Sequence, residues 1–316
     1  MNSFSRRDLL KTLGSAALVA PLSTNIFGST PKRRALRVAH MTDFHVMPEK
    51  HAGEGMAKAI RHVQGLRDKP DLILSGGDLV MDSNLTDFAR TLTQWDLFRR
   101  NFRDNTDIPV HHTLGNHDVW GWWDRRTGNP LEEAKAGKKW ALEVLGMPRP
   151  YHSFDKGGWH FILLDSIHPG PGGKLFMGKL DEEQADWLEK DLQAVPQSQH
   201  VFVMSHIPIL GVSVFNGAYE DKTNSWTVAG SQMHSDSELI RSLFLKHPNV
   251  KVCVSGHIHL LDRVDYNGVT YYCNGAVCGA WWNGSNQNVP PGYAVLNLYS
   301  DGTHDREYVP WGWTAA

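Results

Sequence analysis

Cysteine is scarce, with three among 316 residues, and the spacings fit neither a disulfide scaffold nor a zinc ribbon or finger. Long hydrophobic runs are missing as well. No stretch reaches the roughly 18 to 20 consecutive apolar residues of a membrane-spanning helix, so no transmembrane span is expected. Neither sign of charge prevails, at 32 Lys and Arg against 34 Asp and Glu, so no nucleic-acid groove is expected. Repeats, low-complexity linkers and heptads are lacking too, which excludes disordered, collagenous and coiled-coil classes. What is present is a 41% hydrophobic fraction, enough for a sizeable globular core, and an abundance of histidine.

The first thirty residues differ from the rest. Ser5-Arg6-Arg7-Asp8-Leu9-Leu10-Lys11 precedes a mild apolar run, Leu13 to Leu22, and then small and polar residues. A charged start, a short apolar stretch and a small-residue tail make an export signal. The arginine pair resembles the twin-arginine signal, Ser-Arg-Arg-x-Phe-Leu-Lys, with Leu9 where Phe is commoner. Residues 1–30 are therefore expected to be a signal segment for the twin-arginine export machinery. Residues 31–316 are expected to be one domain, periplasmic or extracellular. Removing the segment leaves 29 basic and 33 acidic residues, a net charge of −4.

Beyond residue 35, short apolar runs alternate with amphipathic stretches. The runs 36–41, 72–74, 110–113, 159–164, 200–204, 250–254, 270–273 and 293–298 read as strands by length and by β-branched or aromatic content. Stretches 54–67, 85–102, 181–192 and 235–245 read as helices, with Asp181 as an N-cap. Strand and helix alternate at first and strands crowd the last third, which predicts an α/β domain on mixed sheets.

Polar clusters sit immediately after the strands. Asp43-Phe44-His45, Gly76-Gly77-Asp78, Gly115-Asn116-His117-Asp118, Ser205-His206 and Gly256-His257-Ile258-His259 each follow an apolar run. Residues two apart in an extended segment point the same way, so Asp43 with His45, and His257 with His259, can each grip one ion. Any one fragment is common. Five in sequence, each at a strand's C-terminal end, match the place where α/β sites gather.

In this order the clusters resemble the calcineurin-like metallophosphoesterase superfamily, over roughly residues 36–260. The resemblance implies two facing mixed β-sheets flanked by helices. It implies that Asp43, His45 and His259 bind one metal, that Asn116, His206 and His257 bind another, and that Asp78 bridges them. His117 would face the substrate, with Asp118 helping to orient it. Two ions lower the pKa of a shared water and neutralise phosphoryl oxygens, so a metal-bridging hydroxide can attack a small phosphate ester. His117 would protonate the leaving oxygen or hydrogen-bond the transition state. Nitrogen and oxygen ligands point to Mn, Fe, Zn or Co. Purple acid phosphatases carry a tyrosine ligand three residues after the bridging Asp; Met81 stands there instead, so no tyrosinate-bound ferric site is expected. A phosphodiesterase is the favoured reading. The alternatives are a phosphomonoesterase and a binding protein that keeps the fold without turnover.

Two aromatic segments complete the set. Trp120, Trp122 and Trp123, followed by Arg125 and Arg126, leave directly from the His117 cluster, and Trp281-Trp282 lies in a Gly-rich stretch. Both are candidates for the substrate pocket, with core packing the alternative. Cys253 is expected to be buried and inert. Whether Cys273 and Cys278 pair as a disulfide is left open by their spacing.

Overall fold

In the computed structural model, residues 32–122, 134–173 and 176–315 are described. The chain divides into two units, Met1–Lys32 and Arg33–Ala316; the sheets and helices described belong to the second. The expected signal segment, Trp123, Arg125 and Arg126 lie outside the described residues.

Alternation of side chains along the strands builds the architecture. In β1 (Arg34–Met41), Leu36 and Val38 face one way and Ala39 and Met41 the other. The first set meets Leu72 and Leu74 of β2 (Leu72–Ser75) in a core shared with Trp159, Phe161, Phe202, Met204, Val252 and Val254. Those six belong to a different sheet, so the two sheets pack face to face. The second set is covered by the helices Ala52–Gln64 and Phe88–Asn105 through Met56, Ile60, Trp95 and Phe98. On the far side, Ile162, Val201, Val203 and Cys253 pack under the helices Glu182–Ala194 and Ser237–Lys246. The order is helix, sheet, sheet, helix.

The remaining strands are β3 (Val110–His112), β4 (His152–Lys156), β5 (Trp159–Leu163), β6 (Ile167–Pro169), β7 (Phe176–Gly178), β8 (His200–Met204), β9 (Tyr219–Glu220), β10 (Ser225–Trp226), β11 (Val250–Ser255), β12 (Leu261–Tyr266), β13 (Val269–Asn274), β14 (Gly292–Tyr299) and β15 (His304–Pro310). The first large sheet runs β15-β14-β1-β2-β3 and the second β12-β13-β11-β8-β5-β4; β6-β7 and β9-β10 are two-stranded. β1, β2 and β3 are mutually parallel, as are β5, β8, β11 and β13; β14, β15, β4 and β12 run antiparallel to their neighbours. This is the expected mixed α/β fold. All eight expected strands are present. The reading missed seven strands: β4, β12 and β15 flank the sheets and carry mostly half-buried or exposed residues, so they lack an apolar run, and β6, β7, β9 and β10 are only two or three residues long. It also missed the short helix Lys139–Leu145. Asp181 caps its helix as expected, accepting from the Gln184 N–H at 2.8 Å.

At the end of the second sheet, His160 ties β5 to a helix. Its Nδ1 lies 2.7 Å from Asp155 Oδ1 and its Nε2 2.9 Å from Asp191 Oδ2. Burial works against the charged ring, but the hydrogen bonds to Asp191 and Asp155 win and raise its pKa above the ordinary value. A raised pKa contributes stability that is complete below the unfolded value of about 6.5 and is lost as pH rises through the folded value. His160→Gln should therefore lower the melting temperature more at pH 5.5 than at pH 9. Equal losses at both would show that the ring contributes packing alone.

Candidate metal centre

The parallel strands release the chain at one edge, and there the backbone leaves ordinary geometry. Asp43 and His45 have φ of 56° and 41°, Asp78 has 50°, and His257 and His259 have 69° and 57°. Few non-glycine residues occupy this left-handed region. Such strain gathered at one locus is held by the surroundings and marks functional sites. The geometric premise of an extended Asp-x-His segment is thus corrected. The paired side chains do converge, but through a left-handed kink at each, while Phe44 between them turns inward against Phe98 and Phe102. The Asp43 and His45 N–H groups donate to Gly77 O and Asp78 O, each at 3.0 Å, locking the first loop to the second. Two glycines permit the crowding. A Cβ on Gly115 would collide with the Asp78 carboxylate, and one on Gly256 with Thr42 and Asp43.

The side chains meet in two groups that share a carboxylate oxygen. His45 Nε2 is 3.1 Å from His259 Nε2, and His259 Nε2 is 3.2 Å from Asp43 Oδ1. Asp78 Oδ2 lies 3.5 Å from His45 Nε2 and 3.2 Å from His206 Nε2. One ligand atom from each of Asp78, His206 and His257 falls within 4.8 Å of the others. Asp43, His45, Asp78, Asn116, His206 and His259 are buried, and His257 and His117 are half-buried.

Backbone carbonyls decide which ring nitrogen faces inward. Gly76 O accepts from His206 Nδ1 at 2.8 Å, Gly279 O from His259 Nδ1 at 2.7 Å, and Ser231 O from His257 Nε2 at 2.8 Å. Each ring keeps a lone pair on its other nitrogen, directed at the centre. Asn116 Oδ1, His206 Nε2 and His257 Nδ1 are buried without a hydrogen-bond partner. Converging lone pairs and carboxylates out of water are costly unless a cation joins them. The titration behaviour states the same demand. Burial alone would raise Asp43, yet His259 beside it holds the carboxyl down at about 2. Burial alone would lower His206, yet Asp78 raises it to about 9. The donors are imidazole nitrogens and carboxylate or amide oxygens, a set that fits a first-row divalent ion.

His117 donates from Nδ1 to Met81 O at 2.5 Å, and its backbone N–H donates to Asp78 Oδ1 at 2.9 Å. A ring nitrogen of His117 lies within 4.8 Å of ligand atoms on His45 and Asp78. The expected orienting contact from Asp118 is not made. The Asp118 carboxylate accepts from the N–H groups of Leu79, Val80 and Gly115 at 2.8, 3.2 and 2.7 Å. Burial, then Asp78, pushes its pKa up to about 7 against those bonds. Asp118 therefore pins the second loop to the third, and the Met81 carbonyl sets the His117 ring. Position 81 serves through its backbone, which residue type could not reveal.

The tryptophans separate. Trp120 is a core residue, its ring edge-on to Phe88 and Trp140 at 6.1 and 5.2 Å, so the pocket expectation for it is corrected. Trp122 is half-buried against Val119, Ile167 and Ile207, with Lys138 Nζ 5.4 Å from its ring. Trp282 is buried too, and its Nε1 donates to His45 O at 2.9 Å, so it braces the centre from beneath. Trp281 turns outward. Its ring lies 4.6 Å from that of His259 and 6.1 Å from that of His45, and it is 40% exposed, so part of its ring meets solvent beside the two histidines. The three cysteines are free and buried. Cys278 lies with His45 and His259 within 4.8 Å, a neighbour that the five motifs did not signal. Ser231, Gly279 and Met81 were also missed, since they act through carbonyls.

Comparison with known proteins gives concordant likenesses. Residues 36–261 match the calcineurin-like phosphoesterase family. A 3′,5′-cyclic-nucleotide phosphodiesterase of Nostoc sp. is 24% identical over 280 residues, covering 85% of this chain and 90% of that protein. The 3′,5′-cyclic adenosine monophosphate phosphodiesterase CpdA of Escherichia coli is 24% identical over 279 residues, covering 85% and 87%. Among solved structures, a dimetal phosphatase from Danio rerio shares the fold with a TM-score of 0.62 at 14% identity, covering 89% of this chain and 98% of that one. Yellow lupin purple acid phosphatase does so at 0.57 and 18%, covering 87% and 51%.

The different tryptophan environments set up a direct contrast in stability. Trp120→Ala should cost about 3–5 kcal/mol, the usual loss for a large buried aromatic. Trp281→Ala should stay within about 0.5 kcal/mol, as surface changes do. Denaturant unfolding of both variants checks this; a large loss at Trp281 would make it a packing residue.

Proposed function

Because the chain belongs to the calcineurin-like phosphoesterase family, we propose that it hydrolyses phosphodiesters, 3′,5′-cyclic nucleotides foremost, at a pair of metal ions. The observation that carries this reading is Asp78 Oδ2, set between the His45 and His206 nitrogens at 3.5 and 3.2 Å. Asp43, His45 and His259 would hold one ion, Asn116, His206 and His257 the other, with Asp78 common to both. Bound ions supply Lewis-acid charge to the phosphoryl oxygens and lower the pKa of water. The chain supplies the rest. Gly76, Gly279 and Ser231 hold three imidazoles in the ligating tautomer, and Met81 O holds the Nδ1–H of His117, so that in its imidazolium form the ring carries its second proton on Nε2 and can give that proton to the leaving oxygen, ending neutral. Trp281 offers a flat apolar face beside His259 on which a nucleobase can stack.

A diester is favoured over a monoester on charge. A terminal phosphate dianion calls for an extra cation, and among the described residues no Lys or Arg is buried. The names of the relatives from Nostoc sp. and Escherichia coli support the cyclic nucleotide. The working place proposed is the periplasm or the outside of the cell, reached through the arginine pair at residues 6 and 7.

Protein reconstituted with Mn²⁺ should hydrolyse 3′,5′-cyclic AMP and bis(p-nitrophenyl) phosphate faster than p-nitrophenyl phosphate, and a chelator should stop all three. Preference for the monoester would move the assignment to a phosphomonoesterase. Trp281→Ala should raise KM for cyclic AMP, since stacking of a base is worth about 1–3 kcal/mol. His117→Ala should slow turnover by about 10²–10⁴-fold, more for an alkoxide leaving group than for p-nitrophenolate. Equal losses would replace the acid role with transition-state hydrogen bonding.

Export has its own test. Arg6→Lys combined with Arg7→Lys keeps the charge, yet should leave the protein in the cytoplasm. Normal appearance of that variant in the periplasm would remove the twin-arginine assignment.

A further inference from the structure

Outside the centre, the described residues contain a second arrangement with the look of chemistry. His234 Nε2 lies 3.0 Å from Ser205 Oγ, and His234 Nδ1 lies 2.9 Å from Asp236 Oδ1. A serine, histidine and aspartate in that order are recognised by geometry as a nucleophile, a base and an orienting acid. Here they cannot serve that way. Ser205 and His234 are each 2% exposed. Ser205 Oγ also donates to Ile207 O at 2.8 Å, and the cavity beside Ser205 measures about 10 Å³, room for one water at most. No substrate reaches the hydroxyl.

The array's position gives it another use. Ser205 immediately precedes His206. His234 ends a segment that begins near Ser231, whose carbonyl fixes the tautomer of His257. Backbone bonds hold the segment at both ends: Gly230 O accepts from Gly178 N–H and Gly178 O from Ser235 N–H, each at 2.7 Å, the Gln232 N–H donates to Ala229 O at 2.9 Å, and the His234 N–H donates to Pro208 O at 2.9 Å. Asp236 is itself anchored by the Leu180 N–H at 2.7 Å. The His234 ring is thus the one buried side chain in the segment that joins it to the strand end carrying His206. Both histidines belong to the same half of the centre; Asp43, His45 and His259 have no part in the array.

We propose that His234 is a positioning residue for one ion of the pair, clamping the Ser231 carbonyl behind His257 and the Ser205–His206 strand end in a single buried array. The inference rests on the reading that His206 and His257 share an ion. It concerns metal binding, whatever the substrate.

The test is Mn²⁺ titration of the full chain followed by electron paramagnetic resonance, with the melting temperature measured alongside. Wild-type protein should take two ions. His234→Ala and Ser205→Ala should each bind one ion as wild type does and the other about 10–100-fold more weakly, the usual effect of removing a group that orients a ligand. His234→Gln, whose amide reaches Ser205 and can donate or accept, should recover most of the loss. Wild-type affinity for both ions in both alanine variants would overturn the proposal. So would equal weakening of both ions in step with the melting temperature, the mark of general loosening. If His234→Ala fails to fold, Ser205→Ala decides alone. A wild-type protein that takes one Mn²⁺ would instead sink the two-ion reading, and this inference with it.

Discussion

Two buried carboxylates, Asp43 and Asp78, face imidazole nitrogens whose partner nitrogens have already given their protons to Gly76 and Gly279 carbonyls. That arrangement leaves the second nitrogen of His259 against Asp43 Oδ1 and that of His206 against Asp78 Oδ2, each at 3.2 Å, lone pair facing lone pair, with His45 Nε2 crowded beside them. Water cannot satisfy them in bulk, and a single proton satisfies one pair at most. A cation is the species that resolves the conflict. The surrounding structure is organised to keep the conflict from relaxing in any other way, by locking loop to loop with backbone hydrogen bonds and by closing the rear with Trp282. This is the physical content of the chain being a metal-dependent phosphoric ester hydrolase.

The centre is also divided between the sheets. Asp43, His45, Asp78 and Asn116 leave from β1, β2 and β3 of one sheet, and His206, His257 and His259 from β8 and β11 of the other. Each proposed ion therefore takes ligands from both. The separation of the sheets, set by the layer of Phe161, Phe202, Val252 and Leu74 between them, becomes the quantity that fixes ligand distances. Facing sheets pack about 10 Å apart, and close-packed interiors transmit small changes in volume. Substitutions in that middle layer should disturb metal geometry, whereas substitutions under the helices Glu182–Ala194 and Ser237–Lys246 act on stability first.

Much of this was legible in the sequence, for a definite reason. The ligand-bearing motifs sit at the C-terminal ends of parallel strands, buried for the most part except β3, and these read as short apolar runs, so strand and motif identify each other. Edge strands such as β4 and β15 carry no such run and escaped. Three features had no sequence signal. Asp118 could not be seen to serve three backbone N–H groups in place of His117, because an acid beside a histidine reads the same in either role. The work of Met81, Ser231 and Gly279 is done by carbonyls that every residue possesses. Trp281 and Trp282 are identical neighbours by type, and only the fold sends one outward over His259 and the other inward to His45 O.

Their separation follows from backbone strain that also runs through the centre. Trp281 and Trp282 have φ of 49° and 70° in succession, so the chain reverses its side-chain direction between them. Twelve non-glycine residues among those described have positive φ, and seven of them are Asp43, His45, Asp78, His257, His259 and this pair. Glycine would take these conformations without strain, yet at all seven a side chain is required to reach the centre or to brace it. At about 1–3 kcal/mol each, the combined strain is comparable to the whole stability of a typical domain. It persists only because neighbouring bonds over-determine each position: Asp43 and His45 through Gly77 and Asp78, the Trp282 N–H through Cys278 O at 2.9 Å, and Trp281 O through Lys50 Nζ at 3.3 Å. The loops of this centre are therefore rigid by necessity. Trp281, the proposed stacking face, is thus held in place before any substrate binds, with little ordering left to be done.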